Sequence, residues 1–140
     1  MSVHPDWQEM QLGYKCIVPC SALNSNNNAK GAYLFELMDL GAVTHLSQFF
    51  VNRITHLLVT TDTNIKYLAP VEASDFIEVK VGVINISSSK ITANVQLYNK
   101  SSKSENWTLA ANGVFSFSLI HAETRKLQRM PREVINVIKG

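Results

Sequence analysis

Two carboxylates, Glu36 and Asp39, stand three residues apart in an apolar run that begins Gly31-Ala32-Tyr33-Leu34-Phe35. An ionised carboxylate is costly to bury unless it is paired or put to work. Gly31 marks the point where a polar loop, with asparagine at 24, 26, 27 and 28, gives way to that run. A helix that starts there exposes backbone N–H groups able to receive a negative oxygen. A base or nucleophile together with an oxyanion donor is the equipment of acyl transfer.

The elements that must position these groups follow from periodicity. Leu34, Leu37, Met38, Leu46, Phe49 and Phe50 recur at 3- and 4-residue spacing with no intervening proline, which predicts a helix from Lys30 to about Asn52. Such a helix is about 33 Å long. Its apolar residues cover more than one face, so it is expected to run through the core, with Gly41 and Ala42 admitting a close neighbour. A strand is predicted at 14–23, at an edge or bulged because of Pro19. Four further strands are expected at 55–68, 75–86, 90–100 and 106–120, with alternation clearest in Phe76–Val83 and Ile91–Tyr98. Residues 1–12 read as irregular, and a short helix follows Pro131. Short connections between the strands imply an antiparallel meander. The order strand, long helix, four strands gives an α+β domain spanning 1–140, a sheet of about five strands wrapped around one helix. An open edge of that sheet predicts a homodimer.

Composition narrows the function classes. With 46% apolar and 17% charged residues over 140 positions, the chain has enough apolar material for a sizeable core. A net charge of +2 and the lack of a basic, aromatic-interleaved patch argue against nucleic acid as a partner. No apolar run reaches the ~20 residues of a membrane span. The residues around His4, Pro5, Asp6 and Trp7 lack the regions of a secretory signal, so a cytoplasmic location is expected. Cys16 and Cys20 would lie ~13 Å apart along one strand. That is too far for a disulfide, so two buried thiols are expected. No histidine cluster or second cysteine pair completes a metal site.

Element order and residues together resemble the hotdog-fold acyl-CoA thioesterases of the phenylacetate-degradation and thioesterase superfamily member 2 type. Three features carry the resemblance. Asn24, Gly31 and Asp39 stand at the offsets of the family's Asn, His-Gly-Gly and Asp or Glu. Thr60 to Pro70 is similar to the family strand that ends in aromatic-x-x-Pro before a Gly-Asp turn, here Ala73-Ser74-Asp75. Alternating strands follow, ending near Leu109 to Phe115. The resemblance covers residues 14–120. It implies hydrolysis of acyl-CoA, with coenzyme A present as part of the substrate and no separate cofactor. It implies Asp39 as general base or nucleophile, the Gly31 N–H polarising the carbonyl, Asn24 orienting water or carbonyl, and Thr60 placing a hydroxyl nearby. It also implies a site at the interface of a homodimer or of a dimer of dimers, with Asp39 facing the partner's loop.

The chain departs from the family at Lys30, where the family has His, and at Ala32, where it has the second Gly. Lys30 suits a phosphate or a pantetheine carbonyl of the substrate. Ala32 adds a methyl where backbone and substrate meet. These two residues motivate an alternative, a non-catalytic acyl-CoA or lipid-binding module. Glu36 is the rival carboxylate, at the offset used by hotdog dehydratases of fatty-acid synthesis. Those enzymes need an upstream histidine where this chain has Ala22, so Glu36 is expected to face substrate, solvent or Lys30. Each residue also has a plainer reading. Asn24 suits a turn, Thr60 suits a strand, Gly31 eases helix entry, and His45 and His56 read as structural.

Overall fold

A computed structural model of the chain describes residues 10–50 and 55–140. Its elements are β1 (Gln11–Ile17), α1 (Gly31–Ser47), β2 (His56–Tyr67), β3 (Phe76–Ile86), β4 (Ile91–Lys100), β5 (Thr108–His121), β6 (Leu127–Gln128) and α2 (Arg132–Lys139). Short 3-10 turns occupy Cys20–Ala22 and Gln48–Phe50. The sheet order is β1-β3-β4-β5-β2, antiparallel throughout, with β6 added to β5. The first helix therefore carries the chain from one edge of the sheet, β1, to the other, β2.

Alternation decides which face meets the helix. Ile77, Val79, Val81 and Val83 of β3, Ala93, Val95 and Leu97 of β4, and Phe115 and Phe117 of β5 are buried. They pack against Leu34, Leu37, Met38, Ala42 and Leu46 of α1. The helix lies close to the strands because Gly41 has no side chain: a Cβ there would come within 2.6 Å of Val79 Cγ1. Phe35 and Leu40, on another side of the helix, stay exposed. The helix is therefore apolar on more than the one stripe that meets the core.

Several expectations need correction. The first strand is Gln11–Ile17, not 14–23, and Leu12 belongs to it. Pro19 lies outside the strand and N-caps the 3-10 turn that holds Cys20. Consequently Cys20 is exposed rather than buried, and Cys16 is half-buried. The α-helix ends at Ser47, with one 3-10 turn beyond it. The expected end near Asn52 lies outside the described residues, as does most of the irregular N-terminal segment. The two-residue β6 was not expected.

The connection from β2 to β3 is stapled from both sides. Val71 O accepts from Ala29 N at 2.6 Å, and Asp75 O accepts from Val18 N at 3.0 Å. The buried Asp75 carboxylate accepts from Glu72 N and from Asn99 Nδ2, both at 3.0 Å. Ser74 takes φ 68, a left-handed turn position that glycine adopts without strain. This chain keeps the turn that the resemblance implies, with serine in glycine's place.

Candidate active site

Asp39 lies two turns into α1 and is only half-buried, because it sits between the core stripe and the exposed one. Its Oδ1 accepts a hydrogen bond of 2.5 Å from the Thr60 hydroxyl on β2. The carboxylate is thereby held by one oxygen, and Oδ2 is left for other work. The structure thus brings together two residues that the sequence singled out separately.

A bulge explains why Thr60 points at the helix. Thr60 pairs with Phe117 and Asp62 with Ser116, so Thr61 has no opposite number on β5. Thr63, Ile65 and Tyr67 then pair with Phe115, Gly113 and Ala111. Phe117, Phe115, Gly113 and Ala111 all belong to the buried side of β5. Directly opposed residues share a face, so Thr60, Thr63, Ile65 and Tyr67 all turn toward α1. In a regular strand, residues 60 and 67 would face opposite ways. The extra residue re-aims the second half of the strand.

Tyr67 is the functional candidate that sequence reasoning missed. Its hydroxyl donates to Gly31 O at 3.1 Å, which places its ring beside the start of α1. Gly31 is the first helical residue, so its N–H and that of Ala32 have no acceptor within the helix. An open cavity of ≈ 370 Å³ adjoins this point, lined by Ala29, Gly31, Leu34 and the segment Tyr67 to Val71. Ala29 and Val71, joined by the staple, both line it.

The other candidates are placed as follows. Asn24 is exposed, and its Oδ1 accepts from Asn26 N at 2.9 Å and Asn28 N at 3.2 Å. That oxygen is committed to the loop's own turn, as the plainer reading has it. Lys30 N-caps the helix with its side chain exposed, and Ala32 is exposed beside it. Glu36 is exposed, not buried among apolar residues. His45 packs edge-on against Phe49 at 5.8 Å, and burial pushes its pKa down. Half-buried Tyr33 reaches the β1 edge, its hydroxyl 3.9 Å from Cys16 Sγ. Burial, then the neighbouring thiol, push the Tyr33 phenol up to about 12, and burial raises the Cys16 thiol as well. Among the described residues no cluster of His, Cys, Asp or Glu is gathered for a metal ion, and no helix is long and apolar enough to cross a membrane.

A curled antiparallel sheet around one long helix is the hotdog fold. The chain belongs to the thioesterase-like superfamily, whose family model matches residues 20–138. Similar solved structures agree on the fold. The hexameric hotdog-fold thioesterase Cj0915 of Campylobacter jejuni superposes with a TM-score of 0.81 at 16% identity, over 92% of this chain and 96% of that one. HI0827, a hexameric broad-specificity acyl-coenzyme A thioesterase solved as an aspartate-to-alanine mutant, gives 0.79 at 17% identity, over 93% and 98%. The hexameric thioesterase y2039 of Yersinia pestis gives 0.75 at 22% identity, over 86% and 95%. No curated protein matches the chain.

Proposed function

We propose that this protein hydrolyses acyl-CoA thioesters to the free acid and coenzyme A. The observation that carries the reading is the hydrogen bond from Thr60 to Asp39 in a chain of the thioesterase-like superfamily. The acyl-CoA thioesterase activity named for HI0827 supports the choice of substrate class.

This reading calls for two copies. Gly31 and Asp39 are eight residues apart on one helix, a rise of about 12 Å. No single thioester carbonyl meets both from one subunit. Two copies joined along their β2 edges, with their α1 helices antiparallel, set Asp39 of one against Gly31 of the other. Exposed Phe35, Leu40 and Leu57 supply apolar surface for that contact. Three similar structures are hexameric, so we favour a hexameric assembly of such dimers over a dimer of dimers.

In this scheme Asp39 takes a proton from water, and the hydroxide forms a C–O bond to the acyl carbon. The oxyanion rests on the Gly31 N–H across the interface. Collapse breaks the C–S bond, and the proton on Asp39 passes to the departing thiolate. Direct attack by Asp39, with a mixed anhydride then hydrolysed, uses the same groups. In this reading exposed Lys30 meets a phosphate of the coenzyme. Asn24, with its oxygen engaged, has only its amide N–H₂ to offer.

The test is thiol release from acyl-CoAs of graded length and aromatic character, with Asp39→Ala as control. Loss of turnover in a folded variant is the expected result. Unchanged hydrolysis would end this mechanism. Tight binding of acyl-CoA with no thiol release across the panel would instead select the non-catalytic module that Lys30 and Ala32 motivate.

A further inference from the structure

We infer that Tyr67 is a positioning residue that holds the Gly31–Ala32 peptide in line for the thioester oxygen. The inference rests on the thioesterase reading and gives a role to Tyr67, which entered the sequence reading only as the aromatic residue before Pro70.

The atoms connect in sequence. The Tyr67 hydroxyl donates to Gly31 O. That carbonyl and the Ala32 N–H belong to one planar peptide unit, so fixing the oxygen fixes the direction of the N–H. A carbonyl that accepts an additional hydrogen bond also makes its own N–H a better donor, because hydrogen-bonded peptides polarise one another. The Ala32 N–H and the Gly31 N–H stand side by side at the open start of α1. Gly31 borders the cavity, and Tyr67 lines it as well.

Two further observations separate this from simple packing. Tyr67 is 51% exposed, so water can replace its partner and the bond has little part in holding the fold. The bulge at Thr61 is what turns Tyr67 inward at all, and it does so on the same strand that presents Thr60 to Asp39. Gly31 also has a role in space rather than in backbone angle. A Cβ built on it would lie 3.6 Å from the Tyr67 ring, an ordinary contact. Glycine here keeps open the gap between helix and ring.

The experiment compares purified full-length wild type, Tyr67→Phe and Asp39→Asn. Tyr67→Phe keeps the ring and removes the hydroxyl. Its kcat for acyl-CoA hydrolysis is expected to fall about tenfold with KM within about twofold, since misalignment of a donor acts on the transition state. In amide ¹H–¹⁵N spectra the Ala32 signal should move in Tyr67→Phe and stay in place in Asp39→Asn. An active wild type whose Tyr67→Phe variant keeps full kcat overturns the positioning role and spares the thioesterase reading. A wild type that hydrolyses no acyl-CoA overturns the thioesterase reading. In that case the Ala32 signal decides whether Tyr67 holds the peptide, and an unmoved signal ends the inference.

Discussion

The helix α1 is tied to the edge strand β2 at two points, and the ties differ in kind. At Asp39 the acceptor is a half-buried carboxylate and the donor a short Thr60 side chain, 2.5 Å away. At Gly31 the acceptor is a backbone carbonyl and the donor an exposed tyrosine, 3.1 Å away. The first tie fixes a side chain that can move a proton. The second fixes a peptide whose free end, the Ala32 N–H, can only donate. Strand numbering falls as helix numbering rises, so the two elements run antiparallel, and one strand holds both halves of the site. In the proposed dimer β2 is also the edge that meets a second copy, so dimer formation and site alignment would act on the same strand.

The change that breaks both ties together should have the largest effect. Asp39→Asn combined with Tyr67→Phe removes the carboxylate that accepts from Thr60 and the hydroxyl that donates to Gly31 O. The two ties lie about 12 Å apart along the helix, so their losses should add. The kcat is expected to fall about 10³–10⁵-fold, with circular dichroism like that of wild type. A double variant no slower than Asp39→Asn alone would show that the second tie has no part in turnover.

Asp39→Asn should break the first tie's chemistry and leave the fold. Loss of a general base lowers turnover by about 10²–10⁴. Circular dichroism and the oligomer's mass should match wild type. Thr60→Val is a smaller perturbation of the same tie, keeping shape and removing the hydroxyl. A hydrogen bond to a charged group is worth about 1.5–3 kcal/mol, so kcat is expected to fall about 10- to 100-fold. Equal kcat in Thr60→Val and wild type would mean that Asp39 is held by something else.

The two ties were not equally legible in the sequence. Asp39 and Thr60 carry functional groups; the offsets from Asn24 and Gly31 point to Asp39, and the likeness of Thr60 to Pro70 to a family strand points to Thr60. Their contact itself was not readable, since it depends on the register of β2. Tyr67 was hidden for a more specific reason. It is seven residues from Thr60, an odd number that places the two on opposite faces unless a bulge intervenes, and nothing in Thr-Thr-Asp-Thr announces one. The inner strands β3, β4 and β5 were read within a few residues because alternation against one core is strongly patterned. The first strand was misplaced because Tyr14 to Leu23 is an apolar run whose second half, beyond Pro19, turns into a 3-10 helix. Asn24 was legible only as a residue type. Its oxygen turned out to serve the loop, which the three neighbouring asparagines already suggested.

A contact on the opposite side of α1 sharpens the contrast at its weak end. Tyr33 meets Cys16 of β1, 3.9 Å from hydroxyl to sulfur, and both groups are neutral near pH 7. Burial raises both pKa values, that of Tyr33 from 10.0 to about 12 and that of Cys16 above 9.0. The folded chain therefore holds these protons more tightly than the unfolded chain does. The stability this contributes is fully present below about pH 9 and is lost as pH rises through 10 toward 12. Tyr33→Phe removes the larger titration. Melting temperatures between pH 8 and pH 11 should fall less steeply in the variant, while kcat at neutral pH stays near wild type, because this tie reaches the edge strand that holds no part of the site. Parallel slopes would mean the phenol does not feel the fold. A large loss of kcat would mean that the β1 side of the helix, and not only the β2 side, sets the alignment of Gly31 and Asp39.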